Sequence, residues 1–329
     1  MNIAILDDYQ DVVRTLPCFG RLAAHRVTVF TDGCSDPEAL AERLAPFEAL
    51  VLIRERTEIN AGLLARLPRL RLISQTGKIS NHIRLQDCSK AGVALAEGAG
   101  SPVAPAELTW ALIMAASRQL LPYCSALKAG QWQQNGDLGL GRSLAGKTLG
   151  IWGYGKIGRR IARFGQAFDM QVQVWGSEAS RAQAMDDGLM AAPDKATFFA
   201  SSDVLSLHLR LNEASRHLIS AADLALMKAD ALLVNTSRAE LFAPGALVAA
   251  LGRGRPGFAA VDVYEQEPAG AQLQQLLSLP NVLCSPHLGY VERGGYELYF
   301  GAAFDNILAY AEGRPVNIAN PEVLEYQDD

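Results

Sequence analysis

The chain has 329 residues, 49% of them hydrophobic and 20% charged, with a formal net charge of −5. Its length exceeds one ordinary core and predicts two domains, while the mild acidity offers no basic field for nucleic acid or an anionic membrane surface. The five cysteines, Cys18, Cys34, Cys88, Cys124 and Cys284, are odd in number, scattered and without a C-x-x-C pair, which argues against a disulfide framework or a metal site and fits a reducing compartment.

The N-terminus, "MNIAILDDYQ", carries acids where a secretory signal would carry basic residues. No apolar stretch approaches the ~20 residues of a membrane helix, so a cytoplasmic protein is expected. "NIAIL" (2–6), "VTVF" (27–30), "ALVLI" (49–53), "LRLIS" (70–74) and "VALA" (93–96) read as buried strands. Amphipathic stretches separate them. In 36–46, Ser35 or Asp36 can cap a helix, Pro37 suits its first turn and Glu38 suits its positive end. Strand, helix, strand repeated predicts a parallel sheet with right-handed crossovers.

"GSPVAPAELTWALIMAASRQL" (100–120) reads as a boundary followed by one long buried helix, and "GQWQQNGDLGLGRSLAG" (130–146) as a glycine-rich loop. A second strand series follows: "TLGIWG" (148–153), "QVQVW" (171–175), "VLSLHL" (204–209), "ALLVNT" (231–236), "FAAVDV" (258–263) and "NVLCSP" (281–286). A last helix over 294–312 is expected to pack back on the first domain, and the tail "RPVNIANPEVLEYQDD" to be a surface extension.

Gly153, Gly155 and Gly158 form a G-x-G-x-x-G pattern that follows an apolar strand and opens a helix, the context that gives the motif meaning. Gly153 permits the tight turn, Gly155 lets a pyrophosphate approach the backbone, and Gly158 lets helix and strand pack closely. The helix N-terminus supplies free N–H groups and partial positive charge. An acid is expected at the end of the next strand, to hold the adenosine ribose. Gly176 stands there instead. Glu178 comes two residues late, while Ser177 and Arg181 are cofactor-facing candidates, so discrimination between NAD and NADP is expected to be weak.

Ligands of open parallel sheets bind beyond the carboxyl ends of the strands. Arg238 follows "ALLVN", Glu267 follows "FAAVDVYEQ", and His287 follows "NVLCSP". Reduction of a ketone needs a proton on the oxygen as hydride reaches the carbon, which a histidinium can give. A carboxylate on the other ring nitrogen orients the ring and favours its charged form. A planar guanidinium grips a substrate carboxylate with two parallel hydrogen bonds.

"ELTWALIMAASR", "LAGKTLGIWGYGKIGRRIA", "SDVLSLHLRLNEASRHLI", "LLVNTSRAELF", "VDVYEQEP" and "SPHLGY", in that order, resemble the D-isomer-specific 2-hydroxyacid dehydrogenase family over nearly the whole chain. The resemblance implies that Arg238 binds the substrate, that Glu267 pairs with His287, and that His287 is the acid/base. It also implies cofactor contacts at Thr109, along the turn Gly153, Tyr154, Gly155, Lys156, Ile157 and Gly158, and at His208, Thr236, Asp262 and Gly289. For substrate it points to the loop "SQTGKISNHI", with Gly77, Lys78 and Ile79, and to Arg54 in "LIRERTEI". The usual loop has a second glycine and an aspartate where this chain has Ile79 or Ser80 and His82. Arg210 stands where proline is usual.

The expected architecture is α/β, with two doubly wound parallel-sheet domains. These are a flavodoxin-like substrate domain (1–100 plus 291–329) and a Rossmann cofactor domain (101–290), with a cleft between them that closes on the substrate. The resemblance implies a homodimer formed in part by 100–145, an NAD or NADP cofactor, and a small 2-ketoacid or 2-hydroxyacid substrate. Dehydrogenation of another small anion, as in phosphite enzymes, and a nucleotide-sensing interaction protein on the same fold are the alternatives.

Overall fold

Continuous apolar runs suit strands that are covered on both faces, and both strand series form such sheets. The computed structural model describes residues 1–268 and 271–325. It divides into two units, Met1–Ser101 with Glu292–Asp329, and Pro102–Val291.

In the first unit, β1 (Asn2–Ile5), β2 (Arg26–Val29), β3 (Ala49–Leu52), β4 (Leu72–Gln75) and β5 (Ala94–Ala96) lie in the order β2-β1-β3-β4-β5. All four pairings are parallel. Every residue of β3 and β4 is buried, and Leu50, Leu52, Ile73 and Leu95 join Leu44 and Phe47 in one core. Asp36 caps the helix Pro37–Leu44 by accepting from the N–H groups of Glu38 and Ala39, a contact worth about 1 kcal/mol.

The helix Arg293–Ala311 belongs to this unit. It buries Tyr296, Phe300 and Phe304, and Ser74 on β4 donates to its Ala303 carbonyl at 2.9 Å. The segment after it is not a surface extension. Asn320 is fully buried, accepts from the Leu95 N–H at 2.8 Å and donates to the Val93 carbonyl at 2.9 Å. Ile318 forms an antiparallel bridge to Ala96. The acidic end of the tail lies outside the described residues.

The second unit holds β6 (Thr148–Trp152), β7 (Gln171–Trp175), β8 (Met190–Ala191), β9 (Val204–Leu207), β10 (Leu232–Asn235), β11 (Phe258–Val261) and β12 (Val282–Cys284). Their order is β12-β11-β10-β9-β6-β7-β8, again all parallel. Chain order reverses between β6 and β9, which is where such a sheet opens a crevice for a ligand. One face packs on Phe198, Phe199, Leu224 and Leu247, the other on Ile113, Ile161 and Met170.

Two local features differ from the sequence reading. β8 is an additional edge strand, and two paired residues are too few to show a periodicity. The predicted helix is Val103–Ser117, and a second helix that the sequence reading did not give, Leu120–Lys128, follows it. The break falls at Gln119, which is left-handed at φ 51°, and whose side-chain amide donates to the Leu138 carbonyl at 2.9 Å, tying down the glycine-rich loop.

Candidate active site

The turn after β6 has the shape of a phosphate cradle. Gly153 has φ +100°, and a Cβ there would stand 2.6 Å from the His208 carbonyl oxygen. At Gly158 a Cβ would strike the Gly153 carbonyl, whereas nothing lies within 4 Å of one at Gly155. The first and third glycines are therefore demanded by packing, and the second leaves room for a pyrophosphate to meet the backbone. Gly155 caps the helix Lys156–Ala167, without any side-chain cap on its first N–H groups. Those free donors and the helix dipole suit an anion, so the residues present fit a dinucleotide. The side chain of Tyr154 does not contribute: it is buried and donates to Asp187 at 2.9 Å, leaving its backbone as the only part on the turn. Lys156 is exposed, while Ile157 packs against the core beside it.

At the end of β7, Gly176 has φ +152°. An L-residue there is strained, which explains why no acid occupies the position. Ser177 caps the next helix, accepting from the Ser180 N–H at 3.3 Å. Arg181 lies on that helix with its guanidinium 4.8 Å from the ring centroid of Trp175, the last residue of β7, a cation–π contact.

Beyond β10, β11 and β12, loops from three adjacent strands share one edge of the sheet. His287 Nδ1 and Glu267 Oε2 are 2.6 Å apart. The other oxygen of Glu267 accepts from the Tyr264 N–H at 3.0 Å. An ionised carboxylate only accepts, so Nδ1 carries the proton of this contact and Nε2 takes no part in it. His287 is left-handed at φ 52°, a conformation that costs free energy and persists where its surroundings enforce it. Asp262 supplies that enforcement. It is fully buried and accepts from the Ser285 hydroxyl and from the N–H groups of Leu288 and Gly289 at 2.5, 2.8 and 2.9 Å. Burial raises its pKa above the usual carboxylate value, and these hydrogen bonds oppose the shift. Expected as a direct cofactor contact, Asp262 instead spends its carboxylate on the loop that carries His287. Tyr264 adds a second anchor, donating to the Ser285 carbonyl at 2.8 Å. Sequence reasoning passed over Tyr264 and Ser285 although both lie inside the blocks it singled out.

Arg238 is half-buried after β10, with Nη1 donating to the Ser237 carbonyl at 2.6 Å and its own carbonyl accepting from Asn235 at 2.8 Å. Thr109 and Thr236 meet at 2.7 Å. Because Thr109 donates to the Pro105 carbonyl, Thr236 is the donor between them. His208 contacts the Ser206 hydroxyl at 2.9 Å. Although the residue keeps some exposed surface, burial of its imidazole pushes the pKa down to about 3, so this ring is neutral near pH 7.

In the first unit, Arg54 and Gly77 are brought together. The Arg54 guanidinium carbon lies 3.4 Å from where a Gly77 Cβ would be, and Gly77 has φ +143°. Arg54 is itself left-handed at φ 54°, held by Thr76 Oγ1 on its N–H and Gln75 Nε2 on its carbonyl. Lys78 and Ile79 are directed elsewhere: the Lys78 ammonium and the Ile79 N–H both donate to Glu97, at 2.6 and 3.0 Å. The Gly77 N–H is also used, by the Gln75 carbonyl. A carboxylate at the end of β5 thus claims donors expected for substrate. Nearby, Arg56 donates to the Asp7 carbonyl and Thr57 to the Asp7 carboxylate, a cluster that sequence reasoning missed and that no motif signalled.

Among the described residues, no group of three or more His, Cys, Asp or Glu is placed to hold a metal, and no helix is long and apolar enough to cross a membrane. A pyrophosphate turn and a carboxylate-oriented histidine on one sheet edge define a nicotinamide-dependent dehydrogenase. Residues 110–289 match the family described as D-isomer specific 2-hydroxyacid dehydrogenase, NAD binding domain. The chain is 34% identical over 296 residues to a glyoxylate reductase of Aeropyrum pernix, covering 88% of this chain and 87% of that one. It superposes on a phosphoglycerate oxidoreductase of Vibrio cholerae O395 with a TM-score of 0.93 at 62% identity, covering 95% and 99%. A D-lactate dehydrogenase of Aquifex aeolicus, solved with NAD and lactic acid, superposes with a TM-score of 0.78 at 25% identity, covering 99% and 98%. The chain belongs to the D-isomer-specific 2-hydroxyacid dehydrogenase family, oxidoreductases that use NAD(P) on the CH–OH group of 2-hydroxyacids.

Proposed function

We propose that the chain works as a 2-ketoacid reductase in which His287 protonates the ketone oxygen, Glu267 orients His287, and Arg238 grips the substrate carboxylate. The observation that carries this reading is the 2.6 Å contact between Glu267 and His287 Nδ1. It fixes the ring and leaves Nε2–H as the donor. When bound at the Gly153–Gly158 turn, the reduced nicotinamide supplies the hydride. The proton leaves Nε2 for the developing alkoxide, and the neutral ring keeps its Nδ1–H on Glu267. In the reverse direction the neutral ring accepts the hydroxyl proton. Arg238, as a planar fork, sets the ketone carbon at the distance and angle that hydride attack needs. Asp262 and Tyr264 act through the loop that holds His287, and Arg54 serves an anionic or polar group of the substrate.

The relatives named glyoxylate reductase, hydroxypyruvate reductase and 4-methyl-2-oxopentanoate reductase supply a panel of 2-ketoacids. Steady-state turnover of these acids with NADH and NADPH tests the proposal. Reduction of at least one to the D-hydroxyacid is expected. Tight cofactor binding without turnover of any would favour a nucleotide sensor.

The assembly proposed is a cytoplasmic homodimer. Leu120, Leu121, Leu127, Trp132 and Leu140 all lie exposed in one stretch of chain, Trp132 at 74% and Leu140 at 90%. Apolar exposure of this density is what a subunit contact covers. Light scattering should give about twice the 35.4 kDa of the chain.

A further inference from the structure

A cavity of about 390 Å³ opens beside the phosphate turn of the second unit, lined among others by Trp152, Trp175, Gly176, Ser177, Leu209 and Arg210. Its lining residues stand next to the turn. A Cβ on Gly153 would lie 3.2 Å from Leu209, and one on Gly176 would lie 3.8 Å from the Gly153 nitrogen. Two indoles and a leucine form an apolar wall of the kind that takes a flat base, and Gly176 and Ser177 mark the strand end where a dinucleotide presents its adenosine ribose. The charge on this wall is one-sided. The lining includes no Asp or Glu, and Arg210 is its single charged residue. Arg210 is exposed, and only its backbone carbonyl is committed, to the Ser215 hydroxyl at 2.7 Å.

We infer that Arg210 is the residue that selects the cofactor, by gripping a 2′-phosphate, and that the chain prefers NADP(H) over NAD(H). This rests on the reading of the Gly153–Gly158 turn as the pyrophosphate site. The two groups that sequence reasoning set against each other drop out. Arg181 stacks on Trp175, and neither it nor Glu178 lines the cavity. The acid that would repel a 2′-phosphate is missing: Gly176 stands there, with a φ of +152° that strains an L side chain. What is left is the Arg210 guanidinium, since the Ser177 hydroxyl donates to Ser180 Oγ at 3.1 Å. The planar guanidinium supplies paired donors with matching geometry.

The test is calorimetric titration of the full chain with 2′,5′-ADP and with 5′-AMP, ligands that differ only in the 2′-phosphate. The parent should bind 2′,5′-ADP at least tenfold more tightly. Arg210→Gln should bring 2′,5′-ADP down to the level of AMP and leave AMP within twofold. Ser177→Asp should reverse the preference, since aspartate keeps the helix cap while placing a like charge beside the phosphate. Tryptophan fluorescence confirms that each variant is folded. Equal binding of the two nucleotides by the parent overturns the proposal, and so does a preference that survives in Arg210→Gln. Equal loss of both nucleotides in that variant also overturns it, because Arg210 would then only stack on the base. If neither nucleotide binds, the cavity is not the adenosine site and the proposal fails, while NADH-driven turnover of a 2-ketoacid by the same preparation would leave the reductase reading standing.

Discussion

The two sheets end in edges of the same design but different completeness. Each places left-handed residues just past its strands: Gly153, Gly176 and His287 on the seven-stranded sheet, and Asp7, Arg54 and Gly77 on the five-stranded one. On the larger sheet, neighbouring loops are cross-bonded into a working array. Glu267 after β11 meets His287 after β12, Asp262 holds the loop 285–289, and the Ser237 hydroxyl after β10 donates to Leu207 on β9 at 2.7 Å. On the smaller sheet the cross-bonds consume the donors themselves, because Glu97 takes Lys78 and Ile79. Proton transfer needs its groups fixed before the substrate arrives, whereas groups that grip a substrate tail are shaped by that tail. The first edge is therefore fixed by its own cross-bonds, and the second is scaffold beside the half-buried Arg54.

The strongest way to break this comparison is at His287. Alanine there should cut kcat by about 10²–10⁴-fold, the usual worth of general acid–base catalysis, with the dissociation constant for cofactor nearly unchanged by fluorescence titration. Undiminished turnover would place the proton donor elsewhere. Arg238→Lys keeps the charge and loses the fork. A fall of about 10²-fold in kcat/KM is expected from misplacing the ketone, and full activity would show that a simple positive field is enough.

This asymmetry also explains what the sequence revealed. A ketone reduction dictates residue types, so Arg238, Glu267 and His287 stood out as candidates at strand ends, and the glycines of the turn from steric need. The strands themselves showed as apolar runs, apart from β8 with its two residues. Side-chain commitments made across the sheet were not legible. Nothing local in "SQTGKISNHI" says that Glu97, eighteen residues beyond Ile79, takes that N–H. Nor does local sequence show that Arg181 lies on Trp175, or that Asn320 ties the tail to β5. Gly176 was noticed as a missing acid, but its φ of +152°, the physical reason for the absence, needed the fold.

A smaller effect concerns His208 on the larger sheet. His208 is held near a pKa of about 3 by burial, against 6.5 in the unfolded chain. Between those values the unfolded state binds a proton that the folded state refuses. Stability of this unit should therefore fall as pH drops below about 6.5, by up to about 1.4 kcal/mol per pH unit. Asp203 and Asp223, whose pKa values are lowered from 3.8, lose their contribution only in more acid solution. All four tryptophans, Trp110, Trp132, Trp152 and Trp175, belong to this unit, so their fluorescence follows its urea unfolding alone. Between pH 7.5 and 5.5 the parent should lose about 1.4 kcal/mol more than His208→Gln. Equal losses would show that the folded ring takes up the proton.

The finest test contrasts two cations of the smaller sheet. Arg54 is fixed by backbone contacts to Thr76 and Gln75 and lies across Gly77. If it serves the substrate, Arg54→Ala removes a charge-assisted hydrogen bond worth roughly 1.5 kcal/mol or more, so KM should rise about tenfold with kcat less affected. Lys78 is a side chain 65% exposed, paired with Glu97 at 2.6 Å. A surface pair of this kind contributes about 0–1 kcal/mol to stability, and its ammonium already has a partner. Lys78→Ala should therefore change kcat/KM by less than about twofold. Steady-state kinetics on one 2-ketoacid settles the contrast. Should Lys78→Ala match Arg54→Ala, the ion pair with Glu97 must open in the working enzyme, and the smaller sheet would carry a substrate site of the kind its sequence first suggested.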